Sequence, residues 1–158
     1  MSADDRGDDI ADEPLGYLLK RVADALRAEM SGTVLGSLGL SLAQYICLRT
    51  LMRTPAMSNA ELARQLDVSP QAMNAVVGEL EHRGLVTRPD TPKMGRRRPT
   101  TLTRDGLEVL KRSELGVRKA ERHVLTKLSH QDQRDFRRLL GVLAGERVHI
   151  EQADRRRP

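Results

Sequence analysis

The chain has one cysteine, Cys47, no tryptophan, and aromatic residues at only 2% of its 158 positions. A lone cysteine excludes an intramolecular disulfide, and nothing suggests a secreted, stapled scaffold. With so few rings, the core must rest on leucine, valine, alanine and methionine. No apolar run approaches the roughly 20 residues of a membrane span. The acidic start, MSADDRGDDIADE, is the wrong opening for a signal peptide, so a cytoplasmic location is expected. His82, His123, His130 and His149 are scattered without metal-ligand spacing, so neither a metal nor a cofactor is expected. A nucleophile elbow, a phosphate-cradling glycine loop and a distinct carboxylate pair are all missing, which argues against an enzyme.

What is present is positive charge, unevenly placed. The net charge is +5, but residues 1–13 carry six acids against one base, and the remainder carries 26 bases against 16 acids. A basic body behind a small acidic tail favours a polyanionic partner. At this length the chain is one domain-sized unit, large enough for its own core.

The stretch SNAELARQLDVSPQAMNAVVGELEHRG, Ser58–Gly84, organises the rest. Ser58 and Glu61 form a capping box, in which a hydroxyl and a carboxylate satisfy free N–H groups at a helix start. Leu62, Ala63 and Leu66 give that helix an apolar stripe. Asp67-Val68 break the pattern, and Ser69-Pro70 open a second helix, with serine at the N-cap and proline at the first helical position. Met73, Val76, Val77 and Leu80 recur at helical spacing, so one face is buried. Gly84 suits the left-handed residue that closes the helix. Two short helices around a tight turn make a helix-turn-helix, or else an αα-hairpin within a bundle. The other face of the second helix begins with Gln71, Ala72, Asn74 and Ala75, small or amide-bearing groups able to approach base edges.

Leu85–Arg88 reads as a strand and Thr100–Thr103 as its partner. The connecting PDTPKMGRRRP holds three prolines, Gly95, and the cations Lys93, Arg96, Arg97 and Arg98. A basic hairpin directly after a recognition helix makes a winged helix, whose arginines suit phosphates and the minor groove. The alternative is a solvated loop.

Further helices flank this unit. Pro14 opens one with Leu15, Leu18, Leu19, Val22 and Leu26 as its apolar positions, ending near Met30, after which SGTVLGSLG reads as a loop. Ser41 and Gln44 make another capping box, opening a helix to about Arg53 in which Leu42, Tyr45, Ile46 and Arg49 share a face with Met52. Thr103 caps a long helix with Leu107, Leu110, Val117, Val124 and Leu128 at near-heptad spacing. Ser129 and Asp132 cap a last helix striped by Phe136, Leu139, Leu140 and Leu143. These terminal stripes exceed what a small winged unit can cover, and isologous packing with a second copy would cover them.

SLAQYICLRTL, ELARQLDVSPQAMNAVVGELEHRGLVTR and GRRRPTTLTRDG together resemble the multiple-antibiotic-resistance regulator (MarR) family of bacterial repressors, over roughly Leu15 to Ile150. The resemblance implies a mainly α fold: a winged helix-turn-helix with a two-stranded wing over residues 39–103, flanked by dimerisation helices at 14–38 and 104–150. Residues 1–13 and 151–158 are expected to be disordered tails, acidic and basic. Leu15, Leu18, Leu19, Val22, Leu139, Leu140 and Leu143 would form the homodimer contact. Gly95 stands where the family's wing often carries aspartate, so its Asp–Arg brace is not carried over.

For double-stranded DNA, the expected contacts are Ser58 and Asn59 on phosphates, then Ser69, Pro70, Gln71, Ala72, Asn74 and Ala75 in the major groove. Arg88, Lys93, Arg96, Arg97 and Arg98 belong to the wing. The resemblance also implies a small aromatic or phenolic ligand in a cleft near Tyr45 and Arg49, alternatively a core tyrosine and a salt-bridged arginine. The function expected is a repressor binding a palindromic operator and released by that ligand. Its rivals are a DNA-binding regulator without effector, a redox sensor built on Cys47, and a helical protein–protein adaptor. Cys47, between Ile46 and Leu48, reads more simply as a small buried hydrophobe.

Overall fold

The computed structural model describes residues 12–89 and 99–145. Its elements are α1 (Leu15–Met30), α2 (Leu42–Arg53), α3 (Asn59–Gln65), α4 (Pro70–His82), β1 (Val86–Thr87), β2 (Thr101–Leu102), α5 (Arg104–Leu125) and α6 (His130–Leu143). The fold is mainly α, with β1 and β2 forming a two-stranded antiparallel sheet in which Val86 faces Leu102 and Thr87 faces Thr101. The chain divides into two compact units, the first ending at Arg122 inside α5 and the second starting at His123.

Local chemistry sets the helix starts. The Ser41 hydroxyl accepts from the Gln44 N–H at 3.1 Å, and Gln44 Oε1 accepts from the Ser41 N–H at 2.9 Å. Ser58 and Glu61 repeat this capping box at 3.3 and 2.8 Å. Ser69 Oγ accepts from the Ala72 N–H at 3.1 Å, with Pro70 at the first helical position. Each satisfies N–H groups that the first turn of a helix leaves open.

α1 does not give way to a loop at Met30. Ser31–Leu35 continues it as a π-helical turn, closed by the Leu40 N–H donating to the Leu35 carbonyl at 2.8 Å. Gly32 and Gly36 lower helix propensity, but the widened turn keeps the backbone bonded. It also carries Leu35 fully into the core and lays Val34 against α5. None of the α1 side chains is buried.

The face of α2 also differs from the expected one. Gln44, Tyr45, Cys47, Leu48, Thr50 and Leu51 are buried, whereas Ile46 and Met52 are exposed. A count of apolar residues gave Gln44 no weight, yet its amide is hydrogen-bonded and can therefore be buried. Around α2 the core gathers Leu62, Met73, Val77, Leu80, Val86 and Leu110.

Within the first unit the buried positions of α5 are Gly106, Leu110, Ser113, Val117 and Ala120, a heptad-like row of mostly small residues, and Leu125 is buried at the helix end in the second unit. Leu107 and Val124 are only half-buried and Leu128 is exposed. The small side chains allow close approach. A Cβ on Gly106 would lie 1.9 Å from the Leu85 carbonyl oxygen, and one on Gly116 would lie 2.2 Å from Val34 Cβ. In the second unit, Ser129 caps α6, and the Gln133 amide donates to the carbonyls of Leu125 and Leu128 at 3.0 and 3.1 Å. No α6 side chain is buried, and Leu139, Val142 and Leu143 are exposed. Among the described residues, no helix is long and apolar enough to cross a membrane.

Candidate nucleic-acid interface

The helix-turn-helix is α3, a turn through Leu66–Ser69, and α4. Asp67 takes a positive φ of 52° in that turn, a conformation that aspartate tolerates better than most residues. Met73, Val77 and Leu80 anchor α4 in the core, and Val76 is half-buried beside them. With that face fixed, Ser69, Pro70, Gln71, Ala72, Asn74 and Ala75 are all exposed along the N-terminal half of the helix. Pro70 and Ala72 add no polar group there, while Gln71 and Asn74 each offer an amide donor and acceptor. Bidentate pairing with adenine needs that combination.

Ser58 and Asn59 each make a contact inside the motif. The Ser58 hydroxyl donates to Glu61 Oε2 at 2.7 Å, and Asn59 Nδ2 donates to the Pro70 carbonyl at 3.3 Å. Asn59 thereby ties the start of α3 to the start of α4, a role that its position in a capping sequence did not announce.

The hairpin stem leaves α4 through Gly84, whose φ of 69° favours glycine. Its second strand is held by Thr103. That hydroxyl donates to the Gly84 carbonyl at 2.7 Å and accepts from the Gly106 N–H at 3.0 Å, capping α5 and fastening the stem together. The Thr100 N–H donates to the Met57 carbonyl at 2.8 Å, adding a bridge to the chain before α3. Arg88, just past β1, donates through Nε to Glu81 Oε2 at 3.0 Å and through Nη2 to the same oxygen. The carboxylate holds the Arg88 pKa above its already high ordinary value. Lys93, Arg96, Arg97 and Arg98 lie outside the described residues, as do residues 1–11 and 146–158 of the expected tails and last helix.

Two further contacts fix α4 against the rest of its unit, and neither was visible in the sequence pattern. Gln44 Nε2 donates to Glu79 Oε2 at 2.6 Å, across 35 residues of sequence. The Arg83 guanidinium donates to the carbonyls of Gly39 and Leu38 at 2.7 and 2.9 Å. The first joins α4 to the start of α2, and the second joins the end of α4 to the α1–α2 connection. The only local hints are a glutamine already explained by its cap and a cation near a helix C-terminus.

At the expected ligand position, Tyr45 is buried and Arg49 is exposed. Burial pushes the Tyr45 phenol above its ordinary pKa; the Arg49 cation opposes this, and Glu114 and Glu121 of α5 reinforce it. The phenol thus sits among one cation and two carboxylates. Cys47 is fully buried, and burial alone pushes its thiol up to about 11. A thiol so disfavoured as thiolate is a poor nucleophile, which removes support from the redox reading. Among the described residues, no histidine, cysteine and carboxylate cluster has the geometry to hold a metal.

Known proteins carry the same arrangement. A family model described as the MarR family matches residues 38–97. The HTH-type transcriptional repressor Rv2887 of Mycobacterium tuberculosis is 47% identical over 135 residues, which are 85% of this chain and 96% of that protein. A crystal structure of the M. tuberculosis MarR family protein Rv2887 in complex with DNA has a TM-score of 0.74 at 47% identity, covering 84% of this chain and 98% of that one. Its complex with salicylic acid has a TM-score of 0.71 at 48% identity, covering 84% and 97%. With these matches spanning the capped helix pair, the hairpin stem and the flanking helices alike, this chain belongs to the MarR family of winged helix-turn-helix transcription regulators.

Proposed function

We propose that this protein is a homodimeric repressor that binds a palindromic operator in the cytoplasm and releases it when a small phenolic acid binds. The observation that carries the reading is the N-terminal half of α4. It is capped, anchored on one face, and exposed on the other with amides at Gln71 and Asn74. α4 enters the major groove, the hairpin reaches the adjacent minor groove, and the basic body supplies long-range attraction to the phosphates. Dimerisation rests on exposed apolar side chains, Leu15 and Leu19 of α1 and Leu139 and Leu143 of α6. A second copy would cover them by isologous packing. The related repressor's complexes with DNA and with salicylic acid support both the operator and the class of effector.

Selecting bound sequences from random DNA tests this directly. The expected product is an inverted repeat with half-sites about 10 bp apart, one for each α4 of a two-fold dimer. Salicylate should then weaken binding to that site, and the site should weaken salicylate binding by the same factor. A site without two-fold symmetry, or a monomer in sedimentation at micromolar concentration, overturns the dimeric reading. Equal salicylate affinity for free and DNA-bound protein removes the effector.

A further inference from the structure

Arg88 invites the reading that it touches DNA, because it is a cation at the base of a basic hairpin. Its surroundings point elsewhere. The guanidinium places two donors on one oxygen of Glu81, a residue in the last turn of α4. The side chains are 22% and 36% exposed, so the pair is neither fully solvated nor sealed. It joins the two elements that must meet DNA together, the end of α4 and the outgoing strand of the stem. The returning strand has its own fastenings through Thr100 and Thr103. The Glu81–Arg88 pair does the corresponding work on β1. Swinging Arg88 to a phosphate would break this tie. As a pair the two charges cancel, and a neutral pair displaces no counterion.

We propose that Arg88 is a positioning residue, locked by Glu81, which sets the angle between the hairpin stem and the recognition helix without touching a phosphate. The proposal rests on the DNA-binding reading above and refines the role of one residue within it.

Three variants test it on the selected operator, with binding measured from low to high salt: Glu81→Gln, the isoelectric double Glu81→Gln/Arg88→Ala, and the exchange Glu81→Arg/Arg88→Glu. Their positions are partly exposed, so the fold should survive, and thermal unfolding checks that it does. Glu81→Gln is expected to weaken operator binding by up to about fivefold, the scale set by a partly exposed ion pair. The double variant should be no weaker than the single one, with the wild-type salt slope. The exchange should restore affinity, since it rebuilds the tie with its charges reversed. If Arg88 instead contacts a phosphate, Glu81→Gln binds more tightly, the double variant loses about one unit of salt slope, and the exchange fails. Any of those three results overturns the proposal. A wild-type chain that selects no DNA sequence removes the DNA-binding reading itself, and this proposal with it.

Discussion

Replacing Gly106 by alanine should destabilise the protein although it places a better helix former in a helix. The added methyl would lie 1.9 Å from the Leu85 carbonyl oxygen and 2.9 Å from its carbon, with Leu102 Cδ2 at 3.3 Å. Two of these are backbone atoms and cannot turn aside as a side-chain end can. The same Leu85 oxygen accepts from the Thr103 N–H at 3.1 Å, so displacing it loosens the joint between stem and α5. Overpacking costs about 1–3 kcal/mol, and the intrinsic preference for alanine returns at most about 1 kcal/mol, less in a first turn. The net loss is about 1–2 kcal/mol, or about 2–8 °C in Tm for a chain of this size. Gly78→Ala is the control, because a Cβ there meets nothing within 4 Å; it should raise Tm by about 2–4 °C. Calorimetry at one fixed protein concentration compares the three, since a dimer's Tm depends on concentration. If Gly106→Ala melts with or above Gly78→Ala, α5 and Leu85 are not in the contact described, and the stem is not held from that side.

Other outcomes follow from single contacts. Ser69→Ala removes the N-cap of α4 and should cost about 1 kcal/mol of stability, read by urea unfolding; an unchanged midpoint contradicts the cap. Asn74→Ala should cost about 1–3 kcal/mol on the operator if its amide pairs with a base, with little change on random DNA; equal losses on both would move the reading role elsewhere. Cys47 should resist alkylation at neutral pH in the native state and react on unfolding. Because its folded pKa is raised to about 11, its contribution to stability is complete below the unfolded thiol's pKa and is lost as pH rises toward 11. Stability of the Cys47→Ala variant should therefore fall less steeply than wild type across that alkaline window; parallel curves contradict a buried neutral thiol.

What the sequence disclosed was mostly local. Ser41–Gln44, Ser58–Glu61, Ser69-Pro70 and Ser129–Asp132 each close within one turn, so spacing alone locates these starts. The anchored face of α4 was legible because Met73, Val77 and Leu80 are all apolar at helical spacing. In the buried row of α5, Leu110 and Val117 were legible from their spacing, but Gly106, Ser113 and Ala120 were not, because they carry little hydrophobicity and are placed by what they let approach. The π turn at Ser31–Leu35 was hidden for a related reason, since its glycines read as breakers while distant packing holds the turn. Glu81 and Arg88 lie seven residues apart with a reversal between them, and no helical or strand period connects such a pair.

Gln44 carries a constraint on how this chain can change over evolutionary time. Its carbonyl oxygen closes the cap of α2 by accepting a hydrogen bond from the Ser41 N–H, while its nitrogen donates one to Glu79. Only an amide does both. Glutamate at position 44 would preserve the cap but set two carboxylates against each other within hydrogen-bonding distance, and one of them would have to keep a proton. The placement of the recognition helix would then vary with the acidity of its surroundings. A carboxylate at position 44 is therefore free of that liability only if position 79 gives up its own, which ties the choice of residue at one site to the residue at another 35 positions away.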